Sequence, residues 1–367
     1  MLISPGSPEE LAALLAEANG KSQSIELRGN GTKDRMAGPI AAADLTISTS
    51  RLNRILQYEP RDLTISVEAG MSWKELMRVL EKNRQMIPLD PPFAGDATVG
   101  GIVAANLSGP RRRLYGSARD MVIGMTFATL AGRLVRTGGM VVKNVAGLDM
   151  AKLMIGSFGT LAAIAVVNFR LHPMPAASRT FVQEFVRAAE ATAARDRILK
   201  SPLQPVVIDI WKTPEGYDLL IQATGSAAVL DRYWRDLAGA RVVQGSEEES
   251  LWRKIREFTP EFLLENEHGA VVRVSCALSE VGRVLESLPT PSLARAGSGV
   301  CYGYFASADA VRFAPLGNNV IEFAPQTVRA SRDLWPEPGS DFAMMKKIKQ
   351  MFDPRGLLNR GRLYGRI

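Results

Sequence analysis

Asp96-Ala97-Thr98-Val99-Gly100-Gly101-Ile102-Val103-Ala104-Ala105-Asn106-Leu107-Ser108-Gly109 is the stretch on which the fold turns. Glycine and small residues packed this densely let backbone N–H groups approach an anion closely, because no Cβ holds it away. Further along, Gly156-Ser157-Phe158-Gly159-Thr160-Leu161 leads into an apolar, β-branched run. A third segment, Arg28-Gly29-Asn30-Gly31-Thr32-Lys33, follows the short apolar Ile25-Glu26-Leu27 and sets two more glycines beside fixed positive charge. A pyrophosphate is the natural guest of such segments. The first turn is not a Rossmann fingerprint, since the third glycine of G-x-G-x-x-G is Asp34 and position 51 is Arg rather than an acid. Nor is it a Walker loop, because Lys33 is not reached through G-x-x-x-x-G-K-[ST]. A lone glycine turn is more often structural; the three together define a ligand cradle.

The chain has 367 residues, 46% hydrophobic and 23% charged, enough for two domains with ordinary cores. At the amino terminus Ser7-Pro8-Glu9-Glu10 precedes Leu11, Leu14, Leu15 and Ala18, which predicts a capped helix rather than a signal peptide. No window reaches the length of apolar sequence that a membrane-spanning helix needs. Two cysteines, Cys276 and Cys301, are too few for a disulfide scaffold or an iron–sulfur ligand set, and a reduced, cytoplasmic setting is expected. Net charge is +7. Its dense basic run, Arg111-Arg112-Arg113, adjoins the cradle, and no basic patch is interleaved with aromatics, which argues against nucleic acid. A dianionic cofactor, an anionic substrate or partner docking accounts for the excess.

Three strands are predicted at Ile25–Leu27, Asp44–Ser48 and Leu63–Glu68, with a helix over Leu52–Gln57, as one small α/β subdomain. Helical periodicity over Trp73–Asn83 precedes the cradle. The runs Met121–Leu134 and Leu161–Leu171 predict a second subdomain on a twisted sheet, with the cradle's ligand between the two. Downstream, helices over Phe185–Lys200, Ala228–Leu237 and Glu280–Leu288 alternate with strands Val206–Trp211, Asp218–Ala223 and Val271–Leu278, the pattern of an α+β, ferredoxin-like cap. A basic amphipathic helix is expected over 342–352, with Lys346, Lys347 and Lys349 available for docking. The expected organisation is a first domain over 1–175, a cap over 176–340, and a terminal segment 341–367 that returns to the first domain.

The order of these segments, with Val142-Lys143-Asn144-Val145-Ala146-Gly147-Leu148-Asp149 and the closing Phe352-Asp353-Pro354-Arg355-Gly356-Leu357-Leu358-Asn359-Arg360-Gly361-Arg362-Leu363, resembles the vanillyl-alcohol oxidase and p-cresol methylhydroxylase (PCMH-type) superfamily of FAD-binding proteins. Within it the likeness is to FAD-binding subunits of bacterial glycolate oxidases. The resemblance implies an α+β fold with a two-subdomain FAD-binding domain and a cap. It assigns FAD binding to Arg28, Gly29, Asn30, Gly31, Thr32, Asp96, Ala97, Thr98, Val99, Gly100, Gly101, Ala104, Asn106, Gly109, Asp149, Gly156, Gly159, Thr160, Ile164 and Val166. Residues 28–38 contain no His, Cys or Tyr, the usual sites of covalent flavin attachment in such proteins, so the FAD is expected to be non-covalent.

The resemblance also implies glycolate oxidation to glyoxylate, electrons passed toward quinone, a second flavoprotein subunit and an iron–sulfur subunit as partners, and a cytoplasmic protein that meets the membrane through them. The alternative is a self-sufficient FAD-dependent dehydrogenase of another small 2-hydroxy acid such as lactate. Arg362 falls where relatives carry a cation after an Asn-Pro-Gly turn, a position from which charge would stabilise anionic reduced flavin; Arg360 stands in place of the proline. Relatives that oxidise α-hydroxy acids carry His-Ala-Gly-Asp-Gly-Asn-x-His in the cap, and the matching stretch here is Arg295-Ala296-Gly297-Ser298-Gly299-Val300-Cys301-Tyr302. Without those imidazoles or the acid, no divalent metal site is expected there. Arg295 and Tyr302 become the candidate substrate contacts, Arg273, Arg312 and Glu322 further polar residues in apolar surroundings. The two histidines, His172 and His268, are expected to be structural.

Overall fold

The computed structural model describes residues 1–141, 149–335 and 338–367. The expected motif stretch Val142–Leu148 therefore lies outside the described residues. The chain divides into two compact units: residues 1–107, 117–174 and 329–367 form one, and 108–116 with 175–328 form the other. The division falls between Met174 and Pro175. Two short segments differ: 329–340, expected in the cap, packs with the first unit, and 108–116 packs with the second.

In the first unit, Ser7 Oγ accepts from Glu10 N at 3.1 Å while Glu10 Oε2 accepts from Gly6 N at 2.6 Å, which starts the helix Pro8–Gly20. Its Leu11 and Leu15 are wholly buried and join Ile25, Ile47, Leu52, Ala128, Ala165 and Leu358 in one core. That core holds two sheets together. The smaller is parallel, in the order Leu2–Ile3, Leu45–Ser48, Ile25–Arg28. The larger is antiparallel, in the order Ile55–Glu59, Thr64–Glu68, Ala163–Arg170, Val122–Ala128, Leu134–Gly138.

Two expectations are corrected here. Leu52–Gln57 is not helical: Ile55–Glu59 is a strand against Thr64–Glu68, because Pro60-Arg61-Asp62 turns the chain back and Glu68, fully buried, binds both the backbone N–H of Arg54 at 2.8 Å and its guanidinium at 2.8 Å. For the same reason Thr64–Glu68 belongs to the larger sheet rather than to the smaller α/β subdomain.

The terminal helix Phe342–Phe352 also departs from expectation. Lys346 and Lys347 are exposed, but Lys349 turns inward, donating to the Thr160 carbonyl (2.7 Å), Asp353 Oδ2 (2.6 Å) and the Leu358 carbonyl (3.1 Å). Burial pushes this ammonium below its usual pKa and Asp353 opposes the shift. Asp353 is itself buried and accepts the backbone N–H groups of Leu357 (2.9 Å) and Leu358 (2.8 Å). The lysine is therefore a fastener for the closing segment and is removed from any docking surface.

The second unit is an eight-stranded antiparallel sheet. Its strands are β1 (Ala177–Phe185), β2 (Val207–Thr213), β3 (Gly216–Gly225), β4 (Arg241–Val243), β5 (Ala270–Ser275), β6 (Ser292–Arg295), β7 (Val300–Phe305) and β8 (Asn318–Phe323). Their spatial order is β4-β1-β3-β2-β6-β7-β5-β8. The first four strands with helices Ala188–Lys200 and Ala227–Asp236 make a β-α-β-β-α-β unit; the last four repeat the order about helix Val281–Ser287, with a short 3-10 turn at Ala308–Ala310 in place of a second helix. The expected ferredoxin-like motif thus occurs twice, joined where β2 pairs with β6. Helix Ser246–Glu265, which the sequence pattern did not reveal, connects the halves; Pro260 interrupts its periodicity.

Asp353→Ala is expected to lower the unfolding free energy by about 3 kcal/mol, since it strands a half-buried ammonium and two backbone donors. Urea denaturation followed by circular dichroism measures this; a change below about 0.5 kcal/mol would show that the closing segment is held by other contacts.

Candidate functional site

The parallel strand Ile25–Arg28 ends where its partner Leu45–Ser48 ends, and the chain turns sharply through Gly29 to Gly31. Gly31 has φ +75°, and a Cβ at Gly29 would overlap Thr98 Oγ1. Both glycines are therefore required by geometry. Asn30 Nδ2 donates to the Asp96 carbonyl at 2.9 Å, latching this turn to the second segment.

Thr98 caps the short helix Val99–Ala105, its Oγ1 accepting from Gly101 N at 3.3 Å. The two adjacent glycines of this helix serve different ends. A Cβ at Gly100 would come within 2.8 Å of Ala69 Cβ, so that glycine permits packing, whereas Gly101 faces the cleft, with Lys33 Nζ 3.8 Å from the position its Cβ would take. Asn106 ends the helix in the left-handed conformation, φ +51°. The third segment then docks on that end: Gly156 N donates to Val103 O at 3.2 Å and Phe158 N to Ala104 O at 2.9 Å. Gly156, Phe158 and Gly159 all have positive φ.

The closing motif completes the arrangement. Asn359 Oδ1 accepts from Leu27 N (2.7 Å) while its Nδ2 donates to Phe158 O (2.7 Å) and Leu27 O (3.3 Å), so one side chain spans the first and third segments. Arg362 is buried and donates to the carbonyls of Lys33 and Gly38. Burial, with the nearby Arg329, pushes its pKa down to about 10, which leaves it charged at neutral pH.

A single cleft is lined by Leu27 through Asp34, Thr98, Gly101, Ala104, Ala105, Phe158, Asn359 and Arg362. Arg28, Lys33 and Arg362 line it together with Asp34, which pairs with Arg28 at 2.9 Å, and Glu26 reaches Arg28 at 3.6 Å. The cleft is therefore net positive. Backbone-walled, roomy at Gly101 and cationic, it fits a pyrophosphate, and the residues present could hold that part of FAD.

Of the residues predicted to bind the cofactor, Arg28, Gly29, Asn30, Gly31, Thr32, Thr98, Gly101 and Ala104 line this cleft. Ala97, Val99 and Gly100 are buried behind it, and Asp96 is exposed, contributing its carbonyl to the Asn30 latch. Thr160 is buried with its hydroxyl on Ser157 O. Ile164 and Val166 lie in the strand Ala163–Arg170, and Asp149 is exposed and pairs with Lys152 at 3.6 Å. Gly109 falls in the segment that packs with the second unit. Lys33, Phe158 and Asn359 line the cleft without having been singled out; Lys33 follows the glycine turn directly, and Asn359 sits in the closing motif three residues before Arg362.

In the second unit Arg295 pairs with Asp209, and Tyr302 lies directly across from Arg273. Arg273 pairs with Glu322 at 3.2 Å, while Arg312 is spent on the carbonyls of Asp309 and Val311. Burial, reinforced by Glu322, pushes the Tyr302 phenol up to about 12. His172 lies in a two-stranded ribbon with Gln85–Met86 and is pushed below its usual pKa by burial and Arg170. His268 is exposed in a turn, its carbonyl accepting from Ala308 N. Among the described residues no cluster of His, Cys, Asp or Glu could hold a metal ion.

Residues 1–138 match a family model described as an FAD binding domain. The chain is an FAD-dependent oxidoreductase built on the PCMH-type FAD-binding fold. It is similar to glycolate oxidase subunit GlcE of Escherichia coli (strain K12), at 29% identity over 97% of this chain and 97% of that protein. It is also similar to glycolate oxidase subunit GlcD of Bacillus subtilis (strain 168), at 28% identity over 62% of this chain, and to a D-2-hydroxyglutarate dehydrogenase of Xanthomonas citri pv. viticola, at 33% over 48%. The matched regions cover 50% and 38% of those two longer proteins. A solved structure of alkyldihydroxyacetonephosphate synthase superposes with a TM-score of 0.69 at 19% identity, covering 98% of this chain and 75% of that one, which shows a shared fold.

Lys33→Met is expected to weaken FAD binding about tenfold by removing one charge-assisted contact, and Gly101→Val to weaken it further by filling the cleft. Quenching of flavin fluorescence on titrating apoprotein reports both; unchanged affinity in both variants would show that the pyrophosphate binds elsewhere.

Proposed function

We propose that this chain is the FAD-carrying subunit of a glycolate oxidase complex that oxidises glycolate to glyoxylate and passes electrons toward quinone. The observation that carries the proposal is the end-to-end similarity to a glycolate oxidase subunit, 97% of each chain, where the hydroxyglutarate dehydrogenase relative matches only in part. Bound FAD supplies the two-electron acceptor. The chain's own contribution is to grip the pyrophosphate through the Gly29–Lys33 turn, Thr98 and Gly101, and to keep positive charge beside it through Lys33 and Arg362.

The FAD is held non-covalently, since residues 28–38 contain no His, Cys or Tyr. The proposed partners are a second flavoprotein subunit, in keeping with the likeness to two differently named glycolate oxidase subunits, and an iron–sulfur subunit. The complex works in the cytoplasm and meets the membrane through those partners; no helix among the described residues is long and apolar enough to cross it. Where relatives with α-hydroxy acid activity place two imidazoles, this chain has Arg295 and Tyr302, so its role is to hold flavin and support transfer within the complex rather than to turn over glycolate alone.

Absorbance spectra of the purified chain, before and after anaerobic glycolate, test this. Flavin bands are expected that persist with glycolate and bleach once the partner flavoprotein is added. Prompt bleaching by glycolate or lactate without a partner would instead make the chain a self-sufficient dehydrogenase.

A further inference from the structure

The closing segment borders a second groove in the first unit, apart from the cofactor cleft. The helix Phe342–Phe352 supplies one wall through Lys346, Lys347 and Gln350, and the loop after it supplies the other through Arg360, Gly361 and Arg366, around a volume of about 530 Å³. Among the described residues the groove is lined by lysines and arginines and by no carboxylate. Some of that charge is already answered: Lys349 pairs with Asp353, and Arg366 with Asp333. Lys346 and Lys347 are exposed and make no ion pair among the described residues, Lys346 lying 4.8 Å from the centre of the Phe342 ring. Arg360 is exposed as well and donates to the Ala42 carbonyl at 3.2 Å. Asp44, on which the charge of Arg360 acts, is held by the backbone N–H and hydroxyl of Ser24 at 2.8 and 2.7 Å.

The helix that forms the first wall is lightly seated. None of its side chains is buried; Phe342, Met345, Ile348 and Phe352 are half-buried, and Phe352 meets Phe127 with ring centroids 6.5 Å apart. Met344 and Met351 lie away from that contact, 58% and 80% exposed. Their spacing of seven residues, with Lys347 three beyond the first, puts all three on one stripe of the helix beside the groove. Methionine is unbranched and polarisable, so such a stripe can mould itself to another apolar surface. Cationic groove and apolar stripe thus adjoin, with Lys347 in both.

We propose that this groove and stripe are a docking surface for an acidic segment of a partner protein, which sets carboxylates against Lys346, Lys347 and Arg360 and apolar side chains against Met344 and Met351. Complementary charge at an interface steers encounter and fixes register, while the apolar contact slows release. An anionic bilayer fits less well. It is flat and does not enter a groove, and a helix that lies in a membrane surface turns its large apolar side chains outward, whereas Phe342 and Phe352 are half-buried here and Phe352 packs on Phe127. The surface is also well placed. Arg360 follows Asn359 directly and precedes Arg362 by two residues, and both of those line the cofactor cleft, so a partner seated here meets the loop that walls the flavin site. That the partner is a subunit of a glycolate oxidase complex rests on the proposed function; that it presents acidic and apolar side chains rests on the groove and the stripe.

Fluorescence anisotropy of a labelled peptide of interspersed glutamate and leucine, titrated with the purified chain, tests the proposal beside a counterpart with glutamine for glutamate and vesicles of phosphatidylglycerol. The glutamate peptide is expected to bind about tenfold or more tightly than the glutamine one, with an affinity that falls as salt rises, and the vesicles to leave the chain in solution. Lys346→Glu with Lys347→Glu, and separately Arg360→Glu, should each weaken the peptide about tenfold, and Met344→Ser with Met351→Ser severalfold. Lys74→Glu with Lys82→Glu, exposed positions at the helix Trp73–Glu81, controls for bulk charge and should bind as the unmodified chain does. No binding of the glutamate peptide, equal affinity in the groove variants, an equal loss in the control, or sedimentation with vesicles by a chain that ignores the peptide would overturn the proposal. Gel filtration after co-expression with the second flavoprotein subunit separates the two readings. Co-elution that survives every groove variant defeats the docking surface alone; a chain that binds the peptide through Lys346 and Lys347 but never co-elutes with that subunit defeats the proposed complex alone.

Discussion

The side-chain amide of Asn359 is the contact on which the cofactor cleft depends. With one oxygen and one nitrogen it ties the end of the strand Ile25–Arg28 to the Phe158 carbonyl, two loops separated by more than a hundred residues of chain. Such a bridge is worth little by itself in water, but buried and fully satisfied it fixes the separation of two segments whose own backbones are strained toward positive φ. The residues that position Asn359 are in turn held by Asp353 and Lys349, so the closing segment acts as a clasp on the glycine turns. A cleft assembled this way has a geometry set before any ligand arrives, which lowers the ordering cost of binding.

The two units treat charge in opposite ways. In the first, positive groups gather around a backbone-walled cleft, answered by Asp34 and by Glu26, which lies 3.6 Å from Arg28. In the second, arginines and carboxylates are interleaved along one sheet face and mostly pair with each other. The first pattern suits a permanently bound dianion; in the second, charge is met largely within the sheet itself. The β6–β7 hairpin carries no imidazole, and its Arg295 pairs with Asp209 instead.

Much of the first unit was legible because its signals are local. Glycines at positions that demand positive φ, a threonine able to cap a helix, and small residues where backbones cross can all be read from neighbours in the chain. The errors arose where partners are distant. Ile55–Glu59 has a composition compatible with helix and becomes a strand only because Glu68 and the Pro60 turn draw it to the sheet. Lys349 has the pattern of a surface charge and is turned inward by carbonyls from residues 160 and 358. The repeat of the ferredoxin-like order in the second unit escaped notice because its second half replaces a helix by a single turn.

The sequence by itself determined the class of ligand, since the density of glycine and the adjacent cations admit a phosphate whatever the fold around them. It also determined that the β6–β7 hairpin carries no imidazole. What only the tertiary structure decided is which partner each charge meets. Arg295 and Arg273 look alike in sequence, each an arginine in an apolar strand, yet one is closed by Asp209 and the other stays partly exposed beside Glu322. The electrostatic state of a buried group is set by the charges and dielectric within a few ångströms, and these come from strands far apart in the chain.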